Sequence, residues 1–97
     1  MRLYPPILAN CKSAAEDDIL PDGMRVLKCH EVTYNVFAMG RVARMWGEDC
    51  LKFLLDRWLD ETGVFVPASP FKYTVFQASP RICLGKNFAM LETRIVV

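Results

Sequence analysis

No apolar run in this sequence is longer than a few residues, and that absence is its first constraint. Stretches such as Val64-Phe65-Val66-Pro67-Ala68 fall far short of the roughly 20 residues that a membrane-spanning helix needs, so none of the 97 residues is expected to cross a bilayer. Clusters of Lys and Arg are missing too. With a net charge of only +1, a nucleic-acid partner has no electrostatic footprint. The single histidine, His30, has no second imidazole to build a separate metal site, and it reads as a strand residue satisfied locally. The opening Met1-Arg2-Leu3-Tyr4-Pro5-Pro6 lacks the apolar centre of a signal peptide, and its paired prolines predict extended chain. No C-x-x-C pair occurs among the four cysteines. Two disulfides in three pairings are open in principle. Nothing points to secretion, however, so reduced thiols in a cytosol-facing protein are the expectation, with Cys11, Cys29 and Cys50 as small, partly buried hydrophobes.

What is present is globular in kind. Hydrophobic residues make up 53% and charged residues 24%, a composition unlike that of disordered segments, and no Gly/Ser linker or repeat divides the chain. A folded chain of this length is expected to bury about two-thirds of its unfolded surface. Pro21-Asp22-Gly23 is a turn signal, because proline presets φ and glycine accepts positive φ. It predicts a β-hairpin from Asp17–Leu20 to a return strand over 24–27, and the β-branched and aromatic residues in 29–34 predict a third short strand. Short helical or irregular segments are expected over 41–46 and 48–55, the latter opening on acidic residues as a helix dipole prefers. Prolines and pattern breaks make 62–80 an irregular meander. Phe88, Leu91 and Ile95 recur at i, i+3 and i+7, so 86–97 reads as an amphipathic helix.

The residues with chemistry lie just ahead of that helix, in Phe76-Gln77-Ala78-Ser79-Pro80-Arg81-Ile82-Cys83-Leu84-Gly85. A cysteine ligates iron as the thiolate, and unpaired N–H groups at a helix start favour that anion. Gly85 has no Cβ, which lets the backbone approach a flat macrocycle. Arg81 is spaced to offer a fixed cation to an anionic carboxylate, and Phe76 to shield the sulfur from water.

This spacing resembles the haem-thiolate loop of the cytochrome P-450 monooxygenases. Arg2-Leu3-Tyr4-Pro5-Pro6 is similar to the end of the family's E-x-x-R helix, whose glutamate would precede Met1. Phe53-Leu54-Leu55-Asp56-Arg57-Trp58 is similar to the F-x-P-E-R-W segment, in which Arg57 would join Arg2 around that glutamate. Met39-Gly40-Arg41 and Trp46-Gly47-Glu48-Asp49 fit the stretch between them, so the resemblance covers essentially the whole chain. It implies an α+β fragment of the mainly α cytochrome P-450 fold, with residues 1–97 a single incomplete C-terminal segment: short strands and helices, meander, Cys-ligand loop and the start of the proximal helix. It also implies haem b with Cys83 as axial ligand and Phe76, Arg81 and Gly85 around it, and no catalytic side chain in this segment.

Leu20-Pro21-Asp22-Gly23 and Ser69-Pro70-Phe71-Lys72-Tyr73 resemble the plant fatty-acid hydroxylase branch. The implied substrate is a fatty acid or other lipid, with Ile7 and Leu8 as apolar lining or as ordinary core. The implied electron donor is an NADPH-dependent flavoprotein reductase near Lys72 and Lys86, and the implied location is the cytosolic side of the endoplasmic reticulum membrane. Three positions depart from the pattern. Ser79 stands where the family usually has glycine, at a cost of about 1–2 kcal/mol if φ is positive there; Leu55 replaces proline; Asp56 replaces glutamate. Arg2 and Arg57 are expected close together without a carboxylate between them, a broken lock. Two alternatives stand beside the enzyme reading: a non-catalytic remnant with weak or no haem binding, the isolated chain being inactive, and a small disulfide-bonded or interaction module in which Cys83 is structural.

Overall fold

The computed structural model describes residues 1–97. Its first half is a pair of nested antiparallel ladders. Strand β1 (Asn10–Ser13) pairs with β4 (Glu31–Tyr34) in the register Asn10–Tyr34 to Ser13–Glu31. Between them, β2 (Asp18–Ile19) pairs with β3 (Arg25–Val26). The Pro-Asp-Gly turn forms as its residues dictate: Gly23 sits at φ +87°, its N–H donates to Leu20 O, and the Asp22 carboxylate accepts from Met24 N at 3.0 Å. The hairpin strands are shorter than the sequence predicts. The third strand exists as β4, and its partner is β1, a strand not anticipated from the sequence. His30 lies just before β4, where its Nδ1 accepts from Leu27 N at 3.3 Å, so it fastens a turn and does not belong to a strand.

Helix α1 (Val36–Met39) escaped the sequence reading. It is started by Asn35, whose side chain accepts from Ala38 N at 2.8 Å, an ordinary N-cap. Helix α2 covers Ala43–Trp46, shorter than expected. The helical alternative over 48–55 does not form; turns and irregular chain lead instead to a 3-10 turn at Asp56–Trp58. The physical reason is that its carbonyls are taken. Cys50 O and Lys52 O accept from Arg2, and Asp49 O accepts from Arg57, so an i to i+4 ladder would have to release two guanidiniums. The meander is irregular as predicted, with a lone bridge between Leu59 and Phe65 and a 3-10 turn at Thr74–Phe76. Helix α3 spans Lys86–Val96, in agreement with its pattern.

The expected core is the largest disagreement. Eight of 97 residues are buried, and the accessible surface is 7893 Å², against about 5,700 Å² for a compact monomer of this mass. The radius of gyration, 15.8 Å, also exceeds the about 12.5 Å of a compact chain of this length. The apolar stripe of α3 (Phe88, Leu91, Ile95) faces solvent, as do Ile7 and Leu8, so the last two are not core residues. What core there is gathers Leu3, Val36, Trp46 and Cys50 around the buried Arg2. Gly40 is essential to it, since a Cβ there would run into the Arg2 backbone carbonyl. Gly40→Ala is therefore expected to lower the unfolding midpoint in urea, with a loss of about 1–3 kcal/mol typical of overpacking.

Candidate functional site

Two assemblies occupy the second half of the chain. The first is the cysteine loop. It leaves the 3-10 turn at Thr74–Phe76, reverses at Ala78–Arg81 (Arg81 N to Ala78 O, 2.8 Å), and is closed by Cys83 N donating to Phe76 O at 2.8 Å. The two ends of this strap are thus hydrogen-bonded to each other, and Cys83 is presented just ahead of α3, with Lys86 N returning to Cys83 O at 3.2 Å. All four predicted site residues lie in this one loop. Cys83, Arg81 and Gly85 are exposed, and Phe76 is half-buried. Gly85 is the helix cap at φ −81°, so it does not need glycine's backbone freedom. A Cβ there would lie 3.8 Å from Cys83 Sγ, an ordinary van der Waals contact beside the sulfur.

The penalty anticipated at Ser79 does not arise, because Ser79 is not at positive φ. The strained residue is Gln77, at φ +58° and ψ −174°, a conformation that costs a non-glycine residue about 1–3 kcal/mol. Its side chain is held by Lys12, whose Nζ donates to Gln77 Oε1 at 2.7 Å. Lys12 was missed by sequence reasoning. It stands on β1, which the β4 pairing carries beside a cleft of about 290 Å³ lined also by Tyr34, Met39, Gln77 and Arg81. Only the β1–β4 register could have revealed it.

The second assembly is the pair of arginines. Arg2 is buried, and its guanidinium donates to Gly40 O (2.5 Å), Cys50 O (2.6 Å) and Lys52 O (2.8 Å). Arg57 donates to Trp46 O at 2.9 Å and to both the backbone and the carboxylate of Asp49 at 3.1 Å. The Trp46 ring lies between cations, Arg2 at 5.0 Å and Lys72 at 4.5 Å from its centroid, contacts in the range of cation–π attraction. Lys72 is therefore engaged rather than free, whereas Lys86 is exposed. The two guanidiniums feel each other: desolvation first, and Arg57 second, push Arg2 below the usual arginine range. Their proximity is as expected, but the lock is not empty, because Asp49 supplies a carboxylate to Arg57.

Trp58 stacks near Phe65 and meets Tyr73 edge-on at 5.3 Å. Burial raises the Tyr73 phenol above its ordinary 10.0. Because the folded value is the higher one, Tyr73 leaves stability unchanged below pH 10 and withdraws it as pH climbs towards the folded value. Urea midpoints measured from about pH 9 to about pH 11 should fall at the alkaline end, and Tyr73→Phe should flatten that fall.

All four cysteines are free thiols. Cys50 is buried, while Cys11 and Cys29 are exposed rather than partly buried as expected. No helix is long and apolar enough to cross a membrane. For a haem, the donor set is an exposed thiol at Cys83, of the soft kind that suits iron, and two cations, Lys12 and Arg81, that line one cleft, which Cys83 itself does not line.

The family model described as Cytochrome P450 matches residues 1–97. Cytochrome P450 94B3 of Arabidopsis thaliana is 48% identical over 102 residues, covering 100% of this chain and 20% of that protein. Cytochrome P450 94A1 of Vicia sativa is 46% identical over 102 residues, with the same coverage of 100% and 20%. Cytochrome P450 704C1 of Pinus taeda is 46% identical over 96 residues, covering 99% and 18%. The chain thus spans about a fifth of the length of the curated relatives it matches. The family model along its full length and relatives at nearly half identity show that this chain belongs to the cytochrome P450 family.

Proposed function

We propose that this chain carries the haem-thiolate seat of a monooxygenase, as one C-terminal segment of the family's domain, and that α3 is the start of its proximal helix. One observation carries the reading: Cys83 is offered to solvent at the end of a hydrogen-bonded strap, with no side chain on the Gly85 flank of its sulfur. Cys83 Sγ would be the axial ligand of haem b. Bound in this way, the haem supplies thiolate-assisted O–O cleavage, the chemistry that oxidises unactivated C–H bonds. The chain's own residues do the seating. Phe76 limits water access to the sulfur, Gly85 keeps its flank clear, and Arg81 with Lys12 offers charge-assisted hydrogen bonds to the propionates. Exposed Ile7 and Leu8 suit the apolar wall of a site for an acyl chain, which supports fatty-acid hydroxylation as the reaction. A flavoprotein reductase using NADPH would dock on the side of Lys86 and bring electrons, at the cytosolic face of the endoplasmic reticulum.

The test is spectroscopic. Purified protein given haem, then reduced and exposed to carbon monoxide, should show the Soret band of thiolate ligation. Failure to take up haem at all would favour the other reading, a polypeptide without a cofactor. In either case we expect no oxygenation of fatty acids by these 97 residues alone.

A further inference from the structure

The Arg57 side chain is 12% exposed, and its Nε–H is buried without a hydrogen-bond partner. Such a donor is held in place only if the other edge of the guanidinium is fixed. That edge is fixed at both nitrogens: Nη1 donates to Trp46 O at 2.9 Å, and Nη2 donates to the carboxylate Oδ1 and to the backbone O of Asp49, each at 3.1 Å. Among eleven acidic residues, Asp49 forms the one ion pair of the chain. It is itself placed by a turn that starts at Gly47 (φ +87°) and is closed by Cys50 N to Gly47 O and Lys52 N to Asp49 O. A Cβ at Gly47 would stand 3.4 Å from Asp49 Oδ1, so the turn keeps this flank clear. Asp49 also counters the charge on Arg2, which Arg57 opposes.

We propose that Asp49 is the positioning residue of Arg57: by gripping the Nη edge it sets the rotation of the guanidinium, keeps Nε–H buried and open to a second acceptor, and balances two like charges behind the cysteine loop. The functional meaning of this role rests on the haem-seat reading, but its test needs no haem, so the two can fail separately. A two-point grip on Nη2 restricts rotation about the guanidinium C–N bonds. Side-chain nitrogen NMR of the full chain should therefore show separate Arg57 Nη signals whose exchange quickens in Asp49→Ala, which lacks the Oδ1 acceptor, and slows again, at least in part, in Asp49→Glu. Unchanged Arg57 signals in Asp49→Ala would overturn the proposal. Should Asp49→Ala unfold the chain, urea midpoints at the lowest temperature that restores folding give the answer. The double variant Asp49→Ala with Arg57→Met should lie no lower than Arg57→Met alone, and a further drop of half or more of that of Asp49→Ala by itself would overturn it.

Discussion

Replacing Arg2 by methionine is expected to remove about 3–5 kcal/mol of stability, the scale of several charge-assisted hydrogen bonds lost together. The methionine stem would fill much of the same volume, so the loss does not come from a cavity. It comes from three carbonyls, Gly40 O, Cys50 O and Lys52 O, which all accept from this one guanidinium. Each would be left in a partly desolvated setting, where an unmet hydrogen bond costs about 1–3 kcal/mol. They also lie on separate parts of the chain, the end of α1 and the turn after α2, so the side chain is the tie between them. Arg2→Lys should recover little, because a point-like ammonium cannot span three diverging acceptors as a planar fork can. Urea unfolding followed by the fluorescence of Trp46 and Trp58 would check this, and a midpoint within experimental error of the parent would contradict it.

The second large effect concerns ligation. Cys83→Ala should abolish the thiolate-type Soret band of the reduced, carbon monoxide-treated protein while leaving the urea midpoint nearly unchanged. Cys83 is exposed, and its structural contribution runs through its backbone, N–H to Phe76 O and O from Lys86 N, which alanine keeps. The spectral and stability readouts should therefore separate cleanly. Arg81→Ala and Lys12→Ala should act differently, weakening haem uptake without changing the type of band, since they offer charge and not the ligand. A thiolate band that survives Cys83→Ala would exclude Cys83 as the axial ligand.

Much of this arrangement was legible in the sequence, and the exceptions share a cause. Pro21-Asp22-Gly23 and the Phe88, Leu91, Ile95 stripe act locally, so the hairpin and α3 follow from neighbouring residues alone. The stretch 48–55 has the composition of a helix and is not one, because Arg2 and Arg57 claim its carbonyls from 8 to 50 residues away. Lys12 was invisible for the same reason: its hydrogen bond to Gln77 spans 65 positions. At the site itself Phe76, Arg81, Cys83 and Gly85 could be named early because they share one short loop. The strain was assigned to Ser79 and belongs to Gln77, since only coordinates show which residue turns the strap. The expected core failed for another reason. Composition says how much apolar surface exists, not whether these residues alone can cover it.

The hydrogen bond between Cys83 and Phe76 makes the strap a ruler for the sulfur. With both ends joined, the reach of Sγ depends on how many residues lie between them and much less on which residues they are. Ser79 does not stand at positive φ, so its side chain brings no backbone strain to the strap. Deleting one residue would shorten the contour by about 3.3–3.6 Å, several times the roughly 0.5 Å tolerance of a working ligand geometry. Natural variation in this strap should accordingly favour exchange of side chains over change of length.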